Sequence, residues 1–355
     1  MQSLSILKFL NNKIGWLYIL SGGFVLCTAL LGLFVSSVQV PVPTILHIIL
    51  EKAFSIGWME DAARNEEMII WNIRLPRVLL AFCVGASLAL AGAAFQGLLR
   101  NPLADPYTIG VSSGAALGAV FVLFFQVTIV GLGSYTLPIV AILSGFFTLL
   151  LVFGLVRLSS RSLAIETIIL AGIIVSAFLG AIVSLVISLS DRDAMTQIIY
   201  WLYGSVGMRG WSHVQLIVPF MLLGSFILFY HYRELNALAL GEDAADHIGV
   251  DVRKGKTTIL IGASLLTGAA VAVSGSIGFV GLVIPHLVRL VTGPNHRHVL
   301  PLSLMTGGAF LILADVVSRT IVAPKELPIG VITALIGAPV FALLLIRERI
   351  GRRKS

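Results

Sequence analysis

The sequence predicts an all-α, polytopic membrane protein of about ten spans, folded as one domain over residues 1–355. Two observations carry this. Only 12% of the 355 residues are charged while 57% are hydrophobic, and mean hydropathy is +1.00. The apolar residues also fall in long runs separated by short polar stretches. A soluble domain this poor in charge would expose large apolar patches and aggregate. A bilayer tolerates it, because each helical span needs roughly 20 apolar residues. Little chain is left for a soluble domain.

The elements follow in order. Lys8 and Lys13 precede an apolar run from Ile14 to about Ser36. The run is too long for the apolar core of a signal peptide, and no small-residue cleavage site follows, so it is a first span. Further spans are expected at 74–99, 107–126, 136–157, 164–190, 212–232, 256–274, 277–292, 301–320 and 328–347. The stretch 41–50 opens Pro41-Val42-Pro43, is too short to cross, and is expected in the first external loop. An even number of spans puts both termini on one side. With the N-terminus inside, 16 Lys and Arg face the cytoplasm and 8 face outward. That positive-inside bias places both termini in the cytoplasm. The net charge of +7 therefore reflects membrane orientation, and nucleic-acid binding is not expected. Cys27 and Cys83 lie in apolar runs with no metal or disulfide spacing, as buried inert thiols do.

The longest polar segment, 234–255, lies on the cytoplasmic side between spans 6 and 7. Asn236 to Gly249 has helical spacing, with Leu238, Ala245 and Ile248 near one face and Gly249 as a stop. Such a helix outside the bilayer serves either as a docking element or as a solvated connector. An ungapped offset of 183 residues pairs Gly85 with Gly268, Gly92 with Gly275, Pro102 with Pro285 and Gly110 with Gly293. Spans 2 and 7 cross in opposite directions, so this suggests inverted-repeat halves, an arrangement found in transporters. Gly110, Gly114 and Gly118, and again Gly330 and Ala334, recur at the spacing that lets helices pack closely in lipid.

Gly255-Lys256-Thr257 looks like the end of a Walker A loop, but the required glycine at 250 is Val250. ATP hydrolysis, if used, would come from a partner. No metalloprotease, serine-hydrolase or paired-carboxylate pattern occurs, so neither a cofactor nor a metal site is expected, and His296 and His298 read as a solvated turn. His286 reads as a packing or hydrogen-bonding residue. An ion-coupled secondary transporter would need intramembrane carboxylates facing a cavity. Only Asp315 qualifies, and Arg319 lies one turn away to pair with it. Arg74, Arg77 and Arg319 fall at the external ends of spans 2 and 9. They are either headgroup anchors or a patch for a partner's carboxylates.

Several segments together resemble the FecCD family of ABC permeases. They are Arg74-Leu75-Pro76-Arg77, Gly85-Ala86, Gly92 to Gln96, Asn101-Pro102-Leu103-Ala104-Asp105-Pro106 and Gly110 to Ala115. Ala237 to Glu242, Gly278 to His286, Ala314-Asp315 and Glu326-Leu327-Pro328-Ile329-Gly330 continue the match in family order, from about residue 70 to 350. The resemblance implies a ten-span type II importer permease in the inner membrane. It implies a second permease subunit, a homodimer being expected, with two cytoplasmic ATPase subunits and an extracytoplasmic substrate-binding protein. The implied cargo is a ferric siderophore, with cobalamin or haem as alternatives. It assigns Arg74, Arg77 and Arg319 to binding-protein docking. It assigns Leu238, Leu240, Gly241, Glu242, Ala244, Ala245 and Gly249 to coupling with the ATPase. Asn101 and Leu103 would lie by the cytoplasmic end of the pathway. Ala164 and Ile165 would stand at the inner gate, an apolar pair where the resemblance suggests hydroxyl residues.

Overall fold

The structure is a computed structural model that describes residues 2–36, 38–55, 64–159 and 165–352. The described residues form helices joined by turns. These are α1 (Gln2–Phe34), α2 (Val42–Phe54), α3 (Arg64–Glu67), α4 (Leu75–Leu98), α5 (Val111–Phe124), α6 (Thr136–Ser159), α7 (Ile165–Leu189) and α8 (Arg192–Leu202). After them come α9 (Trp211–Tyr230), α10 (Tyr232–Leu240), α11 (Glu242–His247), α12 (Val252–Ser274), α13 (Val280–Thr292), α14 (His296–Thr320) and α15 (Ile329–Arg352). Among the described residues, seven helical segments are long and apolar enough to cross a membrane. They are Ile14–Phe34, Asn65–Leu98, Gly133–Ser159, Ile165–Leu189, Trp211–Tyr230, Val252–Ser274 and His296–Thr320. Three shorter apolar helices, Val111–Phe124, Val280–Thr292 and Ile329–Leu344, lie where spans 3, 8 and 10 were expected.

The centre of the bundle is α4, buried along nearly its whole length and surrounded by α14, α12, α13 and α9. Its composition explains the position. From Ala81 to Gly97 most side chains are Ala, Gly or Ser, and without a hydrophobic force between helices in lipid, close approach of small residues supplies the packing. A Cβ on Gly85 would sit 2.3 Å from the Gly307 carbonyl oxygen of α14, and one on Gly92 would sit 1.9 Å from that of Gly281 in α13. The Gly114 and Gly118 face of α5 packs on Thr148 and Ser144 of α6 in the same way. Outer helices such as α7 keep large apolar side chains exposed, Phe178 and Leu189 among them, as a lipid-facing surface requires.

Helix α4 is entered through a π-helical turn, Met68–Arg74. Pro76 explains it. Proline has no N–H, and its ring clashes with the carbonyl four residues back, so the turn before it widens. The Leu75 N–H consequently bonds to the Ile70 carbonyl, five residues back. The Trp71 carbonyl, left without a helical donor, accepts from the Trp211 indole N–H at 2.8 Å. One proline thus fixes a contact between α9 and the start of α4.

Several expectations change. The 41–50 stretch is part of a helix, α2, that buries Ile45 and Ile48. The 183-residue offset pairs Gly85 and Gly268 alike, each buried inside a long helix, α4 and α12, but the match does not continue. Gly92 is inside α4 but Gly275 caps α12 at φ 73°, and Pro102 lies in a turn whereas Pro285 lies inside α13. His296 is a buried first-turn residue of α14, bonded through its N–H to the Asn236 side-chain oxygen at 2.8 Å, and His298 meets the Tyr18 hydroxyl at 3.2 Å. Neither belongs to a solvated turn. Cys83 is buried but Cys27 is on the exposed side of α1.

Candidate functional site

The three arginines converge at the end of the bundle where α1 stops and α4 starts. A helix ends with four carbonyls that lack partners, and α1 has no basic residue in its last turn. Guanidinium groups from elsewhere serve instead. Arg74 donates to the Leu33 carbonyl at 2.8 Å and also to the Val38 carbonyl, and Arg319 donates to the Gly32 carbonyl at 2.6 Å. Positive charge at a helix C-terminus is favourable, because the backbone dipoles leave that end partly negative.

Arg77 is bonded differently. Its Nε donates to both Asp315 oxygens at 3.0 Å, and Nη2 donates to Oδ1 at 2.9 Å. The opposite edge donates to Glu326, from Nη1 to Oε1 at 2.8 Å and from Nη2 to Oε2 at 3.0 Å. Two carboxylates therefore take the two edges of one planar fork. Asp315 is 1% exposed as a side chain while Glu326 is 48% exposed. The bond from Arg77 holds the Glu326 carboxyl below the usual carboxylate range. The expected pairing of Asp315 with Arg319 is secondary. Their closest approach is 3.7 Å, and the Arg319 Nε makes no hydrogen bond. Asp315 spends its acceptors on a residue 238 positions away because α14 packs directly on α4. The three arginines are mostly buried side chains that tie α1, α4 and α14 together.

At the other end, the 234–255 segment folds as two helices rather than one. Gly241 adopts φ 128° between α10 and α11, a conformation that side chains disfavour. Glu242 and Asp243 then sit in the first turn of α11, where negative charge suits the helix dipole. Leu235, Ala237, Leu238 and Ala245 are buried against the bundle, whereas Leu240 and Ile248 are 76% and 66% exposed. Ile248 therefore leaves the face that spacing gave it. Ala244 is exposed, and Gly249 ends α11 at φ 84°. Asn236 pins α10 to α14: its amide donates to the Asn295 side-chain oxygen at 2.9 Å, and its own oxygen accepts from the His296 N–H. Gly255-Lys256-Thr257 lies within the first turns of α12, and Lys256 pairs with Glu242.

The Asn101 turn follows α4 at this same end. Asn101 is exposed and its side-chain oxygen accepts from the Leu103 N–H at 2.9 Å, a local turn that asparagine favours. Leu103 is half exposed, Ile165 is buried in the first turn of α7, and Ala164 lies outside the described residues. Two further contacts were not anticipated from sequence. Arg289 donates to the Gln96 side-chain oxygen at 3.0 Å, and Gln96 donates to the Leu282 carbonyl at 2.9 Å. The Tyr107 hydroxyl donates to the Ile277 carbonyl at 2.8 Å and accepts from its N–H at 3.0 Å. The role of Glu326 was also missed, although Asp315 and Glu326 are the two acids between residues 297 and 347, a count that pointed to them as the arginines' partners. Among the described residues no group of three or more His, Cys, Asp or Glu could hold a metal ion.

Residues 24–347 match the model of the FecCD transport family. The chain belongs to that family. It is 50% identical over 349 residues to the uncharacterized ABC transporter permease protein YvrB of Bacillus subtilis, covering 98% of each chain. It is 44% identical over 283 residues to the cobalamin import system permease protein BtuC of Halobacterium salinarum, covering 80% of this chain and 74% of that one. Its fold matches a solved structure described as an inward-facing metal-chelate type ABC transporter, with TM-score 0.80 and 36% identity over 94% of this chain and 98% of that one. This FecCD member is thus an ABC importer permease, a multi-pass inner-membrane subunit of a system that also uses an ATPase and a substrate-binding protein.

Proposed function

We propose that this permease forms, as a homodimer, the pathway by which a metal chelate enters the cytoplasm. Both termini, the Asn101 turn and the α10–α11 segment face inward, and the arginine cluster faces outward, in keeping with the positive-inside count. The observation that carries the reading is the contrast between the molecule's two ends. One end gathers guanidinium groups around a half-exposed carboxylate. The other presents a glycine-jointed helix pair with bare Leu240 and Ile248. The first end receives acidic residues of the binding protein, because guanidinium forks recognise carboxylates bidentately. The second inserts its exposed apolar residues into a cleft on the ATPase. Docking outside and ATPase closure inside would then alternate access to the central path. Ile165, with Asn101 and Leu103, forms its cytoplasmic mouth.

A ferric siderophore is the proposed cargo. Relatives of 37–44% identity are named for cobalamin, hemin, molybdate and iron(III) dicitrate import, so the choice among chelates rests on the binding protein. The test is reconstitution of the permease with its ATPase and binding protein in liposomes, supplied in turn with ferric siderophores, haem and cobalamin. ATP-dependent uptake of a ferric siderophore is expected. Uptake of haem or cobalamin alone would reassign the cargo, and no ATP-dependent uptake of any of the three would overturn the metal-chelate reading.

A further inference from the structure

Arg77 holds two carboxylates of unlike character. Asp315 is sealed between α4 and α14, with Arg319 beside it. Glu326 is on the loop that follows α14, and about half of its side chain faces solvent. The backbone just beyond it is fixed: the Leu327 N–H donates to the Ser318 carbonyl at 3.0 Å, and the Ile329 N–H donates to the Gly204 carbonyl at 3.1 Å. Only the Glu326 side chain needs to rotate for it to leave Arg77. It would swing into a cavity of about 450 Å³ bordered by Glu326 itself, Ser205, Gly207 and Arg209. Gly207 leaves the approach open, since even a Cβ there would come within 3.0 Å of the Glu326 Oε2.

A guanidinium has five N–H donors in a planar fork. Asp315 and Glu326 engage all three of its nitrogens. An incoming carboxylate cannot bind Arg77 bidentately while Glu326 stays. We infer that Glu326 is an intramolecular stand-in for the binding protein's carboxylate, occupying the docking edge of Arg77 in the free permease and displaced when the partner arrives. The inference rests on the docking reading given above. It assigns Glu326 a positioning role. In the free state Glu326 keeps the Arg77 fork oriented and its charge balanced. On docking, one ion pair is exchanged for another, so the contact remains readily reversible. Reversibility is what an importer needs from a partner that must arrive loaded and depart empty.

The experiment uses the complete transporter, permease with ATPase, in lipid nanodiscs, titrated with its fluorescently labelled cognate binding protein. Glu326→Gln removes the competing charge and leaves the shape. Exposed ion pairs are worth little, so the expected effect is modest: docking about two- to five-fold tighter at low salt, with the gain shrinking as salt screens the site. Arg77→Gln should weaken docking, and adding Glu326→Gln to it should give no further gain. Glu326→Asp, one methylene shorter, should fall between wild type and Glu326→Gln, and it supplies a readout that does not depend on Arg77→Gln inserting properly. If Arg77→Gln weakens docking but Glu326→Gln leaves it unchanged or weaker, the stand-in role is overturned and the docking face survives. An equal gain from Glu326→Gln with and without Arg77 also overturns it. If Arg77→Gln and Arg319→Gln both dock like wild type, the docking reading falls, and this inference with it.

Discussion

Replacing Gly92 with alanine tests the packing on which the bundle depends. The added methyl would lie 1.9 Å from the Gly281 oxygen, 2.5 Å from its carbonyl carbon and 2.6 Å from its Cα. All three are backbone atoms, so no side chain can rotate out of the way. Ordinary contact begins near 3.4 Å, so α4 and α13 must part by about 1.5 Å at this point. One turn along, Gln96 donates to the Leu282 carbonyl at 2.9 Å. The same separation would break that bond and leave a buried amide unsatisfied. Overpacking costs about 1–3 kcal/mol, and an unsatisfied buried donor about 1–3 kcal/mol more. The combined loss is then roughly 2–6 kcal/mol by those two rules. Thermal unfolding of the purified protein in detergent, followed by tryptophan fluorescence, reads it directly. Gly180→Ala on α7 is the control, because nothing lies within 4 Å of a Cβ there, and alanine favours helix over glycine. A Gly92→Ala protein that melts and transports like wild type would refute the close-packing argument.

Three further outcomes are expected. Asp315→Asn leaves Arg77 buried with half its partners; breaking a buried pair costs about 3–5 kcal/mol, so expression and melting temperature should fall well below those of Glu326→Gln, and equal melting of the two would contradict the sealed-pair geometry. Trp211→Phe orphans the Trp71 carbonyl and should destabilise by about 1–3 kcal/mol, measured by the same melting assay, with an unchanged midpoint showing that the π-turn carbonyl finds another donor. Gly241→Pro cannot adopt φ 128°, so the permease should insert but fail to co-purify with its ATPase. Normal co-purification would reduce α10–α11 to a connector.

How far the sequence could be read depended on whether a feature was local. Long apolar runs are local, and Ile14–Phe34, Ile165–Leu189 and Trp211–Tyr230 differ from the expected spans by at most two residues at either end. The second helix begins nine residues earlier than expected, at Asn65, because a π-turn carries the chain through Arg74, and the Glu66-Glu67 pair reads as a loop by composition. Helix α2 carried a usable signal, the Ile45–Ile48 spacing, but the 41–50 stretch was read only for its length, as too short to cross and part of the first external loop. Gly241 was visible as a glycine, yet nothing in its neighbours announces φ 128°, so one helix was expected where two exist. The arginines were visible as costly charges. Their partners were not, since Asp315 and Glu326 lie 238 and 249 positions from Arg77, and the nearer Arg319 offered a simpler pairing.

The hold of Asn236 on the start of α14 has a mechanical consequence. Helix α14 runs from His296, beside α10, to Arg319, beside Arg77 and the end of α1. At 1.5 Å per residue its 25 residues span roughly 37 Å, about the thickness of a bilayer. An α-helix is stiff along its axis, and Pro301 lies a turn and a half from the start of this one, where bending is easiest. A force that displaces α10 is therefore delivered to one end of a rod whose other end bears Asp315. The strain would reach the Arg77 fork as a change in distance between two charges, with no need for a chain of side-chain rearrangements through the membrane.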